Sequence, residues 1–182
     1  ISLGILKVAA VLEAVGHRVE MLDLSGVENF EEVVTTHLEE SRTRTYAITA
    51  TTPQLPAVAK IVRVIRAQAR RRIILGGPHA TLVHAAYKRE QACKTPGRAT
   101  RAFTQLLNQF DTIIAGDGES AIFQAIEPHA PRVIDADDPK GKLFLTNQQL
   151  TDLPLPARHL VDVDSYHYTI DGVRATSIIA QL

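Results

Sequence analysis

The sequence predicts a doubly wound α/β fold with a mostly parallel sheet. Short apolar segments alternate along the chain with amphipathic segments that have helical periodicity. Parallel strands need crossover connections, and helices between the strands supply them. Three of the apolar segments also run directly into polar or glycine-rich sequence, as strands do at the ligand-binding side of such sheets.

The first elements are predicted from apolar spacing and from helix-end signals. A helix is expected over residues 3–15, because Gly16 follows in the position of a helix C-cap. A strand is expected over residues 18–24. Ser25 and Glu28 have the spacing of a capping box and predict the start of a second helix.

The middle of the chain continues the alternation with two strands and two helical regions. Residues 46–51 read as a strand, and a third helix starts at Pro53 and Pro56. Residues 72–75 form a short apolar strand. The helical region that follows has a loop-like break over residues 94–97.

The last elements of the predicted sheet are shorter. Residues 112–115 read as a strand, and a short helix follows around Ile122. Residues 131–134 form a possible final strand. We therefore expect an α/β domain over residues 1–135, a linker over 136–174, and the start of a second domain over 175–182.

Composition excludes several classes of protein. The 182 residues are 45% hydrophobic and 22% charged, which is typical of a globular chain and not of a disordered one. The formal net charge of zero gives no overall attraction to nucleic acid or to an anionic membrane. No apolar run approaches the length of a membrane span, and Cys93 is the only cysteine. We expect a cytoplasmic protein with neither nucleic acid nor a membrane as partner.

Glycines and hydroxyl groups mark the first two strand ends as a candidate site. Gly76 and Gly77 allow a ligand to approach the backbone, although a glycine pair also suits a tight turn. Thr49, Thr51 and Thr52 offer hydroxyl groups to a ligand, but threonine is also a common strand residue.

Titratable residues near the strand ends also have both a functional and a structural interpretation. Asp117 and Glu119 follow the third strand, where they could bind a ligand or act as acid or base, but they would also stabilise the start of a helix. His79 stands beside the glycine pair without a second histidine at metal-ligand spacing. Motifs of metal hydrolases, serine hydrolases and P-loop enzymes do not occur in the sequence, so we predict no catalytic residue and no metal ligand in this chain.

Taken in order, several segments resemble the amino-terminal cobalamin-binding domain of radical SAM enzymes. The resemblance spans nearly the whole chain, and its order and spacing are more specific than any one piece. The residues that carry it are LGILKVAAVLE at 3–13, GH at 16–17, ATTPQ at 50–54, GGPHAT at 76–81, GDGE at 116–119 and LPLPAR at 153–158.

This resemblance implies a Rossmann-like, flavodoxin-like fold that binds cobalamin. It places two groups of residues near the cofactor. Those that flank the nucleotide tail are Thr49, Thr51, Thr52, Gln54, Gly76 and Gly77, and those nearer the corrin are Pro78, His79, Gly116, Asp117, Gly118 and Glu119. The Asp-x-His-x-x-Gly motif, which supplies a histidine to cobalt in many cobalamin proteins, does not occur in the sequence.

The resemblance further implies a role in a larger enzyme. The chain is then the cofactor domain of a radical SAM enzyme, a methyltransferase acting on an unreactive carbon. S-adenosylmethionine and a four-iron four-sulfur cluster belong to the parent's carboxy-terminal radical SAM domain, whose partial barrel would begin with residues 175–182. The alternative is a non-catalytic or regulatory flavodoxin-like module that has lost cobalamin. A nucleotide-dependent enzyme is disfavoured, because no G-x-G-x-x-G follows a strand.

Overall fold

Four parallel strands form the central sheet, and they pair in the order in which they occur in the chain. The computed structural model describes residues 2–68, 70–167 and 169–174. The predicted α/β class with a parallel sheet is confirmed. The strands are β1 (Thr45–Thr49), β2 (Arg72–Gly76), β3 (Thr112–Gly116) and β4 (Val133–Ala136).

Helices connect the strands and flank them, as parallel pairing requires. Helix α4 packs against β2 and β3, and α6 packs against β3 and β4. The seven α-helices of the described residues are α1 (Leu3–Ala14), α2 (Phe30–Glu40), α3 (Leu55–Gln68), α4 (Pro78–Ala92), α5 (Arg98–Gln109), α6 (Gly118–Ala125) and α7 (Asn147–Asp152). None of these described helices has the length and apolar character to cross a membrane.

The core of the sheet lies in β2 and β3. Ile73, Ile74 and Leu75 are each no more than 1% exposed, and Ile113 and Ala115 are fully buried. Because successive side chains of a strand point to opposite faces, this burial means that both faces of the two strands are covered. Both strands were predicted for this reason, since a strand buried on both faces reads as a continuous apolar run.

The structure divides into two compact units. Residues 26–144 contain the sheet and helices α2 to α6. Residues 1–25 form the other unit together with residues 145–182. The start of a second domain, expected over residues 175–182, lies outside the described residues.

The unit that contains α1 is held by contacts between this helix and a later segment. The backbone N–H of Ala157 donates to the carbonyl of Leu6 at 3.0 Å, and Ala157 packs against Ala9 and Ala10. Small side chains at these positions allow the two backbones to approach closely. Besides α7, the described part of this later segment contains two 3₁₀ turns, Arg158–Leu160 and Val163–Ser165, and a hairpin of β5 (Thr169–Ile170) and β6 (Val173–Arg174).

The strand predicted over residues 18–24 is wrong, since these described residues adopt no regular secondary structure. Val19 and Met21 are partly buried against the cluster around Ala9 and Ala10, whereas Glu20 and Leu22 are exposed. The alternation therefore reflects packing of one side of an extended segment. It does not reflect hydrogen bonding to a neighbouring strand.

The predicted capping box at Ser25 and Glu28 is also wrong. Helix α2 begins at Phe30, with Asn29 as its N-cap residue. Ser25 instead belongs to a turn in which its backbone N–H donates to the Asp23 carboxylate at 2.9 Å. Asn29 Nδ2 donates to Glu32 Oε2 at 3.1 Å. The side-chain hydrogen bond at the start of α2 therefore begins four residues after Ser25.

The loop-like break predicted over residues 94–97 separates α4 from α5, and a carboxylate stabilises the start of α5. Glu90 accepts hydrogen bonds from the backbone N–H groups of Gly97, Ala99 and Thr100 at 2.7 to 3.0 Å, and from the Thr100 hydroxyl at 2.7 Å. These donors are among the N–H groups that a helix leaves without intrahelical partners. The bonds favour the charged form, with those from Thr100 strongest, and lower the pKa of Glu90 from 4.5 to about 2.

We expect Glu90→Gln to lower stability at neutral pH and to flatten its pH dependence in acid. A lowered pKa in the folded state stabilises the protein above pH 4.5, and this contribution is lost as the pH falls towards about 2. Urea unfolding midpoints measured from neutral pH into this acidic range test the prediction. Glu39→Gln, at an exposed position of α2, is the matched control. If the stability of Glu90→Gln fell with decreasing pH as steeply as that of the wild type, the prediction would be contradicted.

Candidate functional site

Loops at the carboxyl ends of three neighbouring strands form the candidate site. We call residues 49–54, 76–81 and 116–119 the carboxyl-end loops. Thr49 pairs in register with Gly76, and Gly116 pairs with Ala136. The structure thus places the three predicted segments at the same end of the sheet.

The carboxyl end of the sheet is stepped. Because Ile74 pairs with Thr112, β3 continues two residues beyond the level of Gly76. Two strand residues span about 7 Å. A Cβ atom added to Gly76 would meet no other atom within 4 Å. A side chain added at Gly76 would therefore begin in open space at the end of β2.

Gly77, in contrast, is required by the packing of the loop. Its φ is +86°, a left-handed conformation that favours glycine. A Cβ atom at this position would lie 2.3 Å from Thr49 Oγ1 and 3.3 Å from the backbone nitrogen of Ala50. The side chain of Thr49 thus occupies the space beside Gly77.

Two of the predicted ligand-binding residues hold the first loop in shape. The backbone N–H and the hydroxyl of Thr51 both donate to Gln54 Oε1, at 2.8 and 2.9 Å. The reciprocal arrangement is a capping box at the start of the 3₁₀ turn Thr52–Gln54. Thr51 and Gln54 consequently use their polar groups on each other.

Thr52 and His79 join the first loop to the second. Thr52 Oγ1 and His79 Nδ1 lie 3.0 Å apart, and the backbone N–H of His79 donates to the carbonyl of Ala50 at 3.1 Å. Burial lowers the pKa of His79, so the imidazole is neutral at pH 7. Nδ1 bonds to Thr52, and the other ring nitrogen, Nε2, has no hydrogen-bond partner among the described residues.

Thr81 links the second loop to the third, a role that the sequence did not reveal. Its hydroxyl accepts from the backbone N–H of Gly116 at 2.9 Å and donates to the carbonyl of Gly77 at 3.2 Å. Pro78 is the first residue of α4, where its fixed φ suits the helix start. One hydroxyl in the first turn of α4 thus ties two strand ends together.

The third loop begins α6. Asp117 is the N-cap residue of this helix, Gly118 is its first residue, and Glu119 lies in its first turn with only 8% of its surface exposed. Both acidic residues interact with other groups of the protein. Negative charge near a helix N-terminus is stabilising, which is the structural role expected for them.

A buried histidine lies deeper in α4 and belongs to no predicted site. His84 is 6% exposed, its ring is 5.2 Å from that of Phe103, and its Nδ1 is 3.9 Å from Asp135 Oδ2. Burial lowers the pKa of His84, and the Asp135 carboxylate acts in the opposite direction. Lys88 Nζ donates to the same Asp135 oxygen at 2.8 Å.

In the part of the chain that the structure describes, no three His, Cys, Asp or Glu side chains are placed to hold a metal ion.

Comparison with known proteins gives one family match. The family model described as B12 binding domain matches residues 1–107. The match includes the loops at 49–54 and 76–81, while the loop at 116–119 lies beyond it. No curated protein matches the chain. A solved structure, the N-terminal domain of a hypothetical protein from Thermotoga maritima, is similar with 17% identity and a TM-score of 0.40, over 72% of this chain and 88% of that chain.

Proposed function

The chain belongs to the B12-binding domain family, and from that premise we propose that its carboxyl-end loops hold cobalamin for a radical SAM methyltransferase. The observation that carries this proposal is the open space at Gly76. A bulky cofactor needs close approach to the backbone at the end of a strand, and a residue without a side chain permits it. Because β3 continues two residues beyond the level of Gly76, a cofactor seated at Gly76 would lie next to the end of β3.

Each loop has a distinct role in this proposal. Gly76 admits the nucleotide tail of the cofactor, Thr52 presents a polar atom to that tail, and His79 presents one towards the corrin. Thr49, Thr51, Gln54 and Gly77 keep the first two loops in shape through the contacts described above. Pro78 and the residues from Gly116 to Glu119 lie nearer the corrin ring. We assign no residue of this chain to the cobalt ion.

The residues of this chain bind and orient the cofactor, and the chemistry belongs to the cofactor itself. Cobalamin supplies methyl-transfer chemistry when it is bound. S-adenosylmethionine and a four-iron four-sulfur cluster would be held by a carboxy-terminal radical SAM domain of the parent protein. Three cysteine thiolates hold such a cluster in radical SAM enzymes, and Cys93 is the only cysteine in this chain.

Cobalamin binding is tested directly with the purified chain. We expect the protein to elute from a gel-filtration column with bound cobalamin after incubation with hydroxocobalamin, and the ultraviolet-visible spectrum of the protein peak to show the corrin bands. A protein peak without these bands would contradict the proposal and favour the module that has lost cobalamin.

The radical SAM part of the proposal has a separate test in the parent gene. We expect three cysteines in a C-x-x-x-C-x-x-C spacing within about ten codons after that of Leu182. A stop codon there, or a continuation without clustered cysteines, would contradict the radical SAM assignment and leave cobalamin binding unaffected.

A further inference from the structure

An open cavity of about 450 Å³ lies at the amino end of the sheet, opposite the carboxyl-end loops. Its volume is within the range of small-molecule sites. Three arginines line it, each from a different part of the chain: Arg66 from α3, Arg72 from the start of β2, and Arg132 from the residue before β4. We propose that this cavity binds a small phosphate-bearing anion.

The charge of the lining favours an anion. The three guanidinium groups are opposed by one carboxylate, that of Asp111, which lies 2.7 Å from Arg66 Nη2. The chain as a whole has a formal net charge of zero, so the positive excess is local to this cavity. A phosphate group has the sign that this excess favours.

The arginine heads are held in place before any ligand arrives. Arg66 Nη1 donates to the carbonyl of Arg71 at 2.7 Å. Arg72 and Arg132 donate to carbonyl groups near the C-terminal ends of α6 and α5, where cations are favourable. Because the heads are already ordered, an anion would not have to pay for ordering them. The carbonyl groups bonded by these two arginines are those of Ala125, Glu127, Pro128, Leu107 and Phe110.

The bonds to these carbonyl groups do not use every guanidinium N–H donor of the cavity. A guanidinium group has five N–H donors in a fork that suits phosphate oxygens. Both protein bonds of the Arg132 head are made by Nη2, so Nε and Nη1 have no partner among the described residues. Arg132 is also exposed, which leaves these donors accessible.

The lining points to recognition of the phosphate group and not of an attached base. Among the described residues that line the cavity, Phe110 is the only aromatic one, and it is 2% exposed. Its ring is thus not available for stacking on a nucleobase. A nucleotide should consequently bind no more tightly than a free diphosphate.

Isothermal titration of the 182-residue chain with inorganic pyrophosphate at low salt tests the proposal. We expect saturable binding that weakens about tenfold in Arg132→Gln, because this variant loses a charge-assisted pair of donors. Arg132→Lys keeps the charge and loses the fork, so its affinity should fall between the two. Arg101→Gln, which removes an exposed charge of α5 that does not line the cavity, should change the affinity less than about twofold.

Three results would overturn the proposal. The first is the absence of saturable binding in the wild type at about 10 mM pyrophosphate. The second is equal weakening in Arg101→Gln and Arg132→Gln, which would indicate only general attraction of anions. The third is tighter binding of ADP than of pyrophosphate. Far-UV circular dichroism establishes that each variant is folded, and if Arg132→Gln is not, Arg132→Lys decides the result.

Discussion

Replacing Gly116 with alanine should destabilise the protein by about 3 kcal/mol or more, which combines a left-handed backbone with overpacking. Gly116 has a φ of +92°, where an alanine is strained. A Cβ atom there would also lie 2.5 Å from both the carbonyl carbon of Ala136 and the backbone nitrogen of Asp137. Both obstacles are backbone atoms, so no side-chain rotation can relieve the contact.

The sheet prevents the backbone from relaxing around the new methyl group. Gly116 is paired with Ala136 across β3 and β4, and its N–H is bonded to Thr81. Moving either strand end would break these bonds. The loss should therefore appear as reduced stability of the whole sheet unit and not as a local adjustment.

Gly76→Ala is the matched control for this prediction. The chemical change is the same, but the added methyl group meets open space. We expect its free energy of unfolding to stay within about 0.5 kcal/mol of the wild type, as for surface substitutions. Urea unfolding of the two variants measures the difference. Similar stability in Gly116→Ala and Gly76→Ala would contradict the prediction.

Burial on both faces made the central strands predictable from the sequence. Residues 73–75 and 113–115 are apolar at every position, so these strands could be predicted without knowledge of their neighbours. The alternation at Val19 and Met21 has the same appearance as a half-buried strand, but its partner is a helix. Periodicity indicates which side of a segment is buried, but it does not indicate which element packs against that side.

The position of the candidate site followed from topology, whereas the roles of single residues did not. Parallel strands place their carboxyl ends together, so the three loops could be grouped from the sequence alone. Gly76 and Gly77 are adjacent and chemically identical. They differ in the structure because Thr49, on the neighbouring strand, occupies the space next to Gly77.

Contacts between residues that lie far apart in the chain could not be predicted from the sequence either. Glu90 reaches Thr100 across a turn, and Thr81 reaches Gly116 from another element. The arginines of the amino-end cavity are spread over α3, β2 and the segment before β4. In the sequence Arg72 is the first residue of a predicted strand, and only the fold shows that it meets the other two arginines.

If the open space at Gly76 admits the cofactor, Gly76→Leu should weaken cobalamin binding by about a hundredfold or more. The leucine side chain would project into the space where a Cβ atom meets nothing within 4 Å. Because the Cβ atom of the new side chain meets no protein atom within 4 Å, we expect the stability of the variant to change little. A loss of binding without a loss of folding separates a ligand-contacting position from a purely structural one.

Gly4→Leu provides the control for a glycine-to-leucine change at an open position. Gly4 lies in α1, is exposed, and also has no atom within 4 Å of an added Cβ. We expect its cobalamin affinity, measured by titration of the corrin absorbance, to stay within about threefold of the wild type. Circular dichroism and urea unfolding establish that both variants are folded. If folded Gly76→Leu bound cobalamin as tightly as Gly4→Leu, the cofactor would have to lie away from the end of β2, because a side chain of this size cannot share the open space at Gly76 with it.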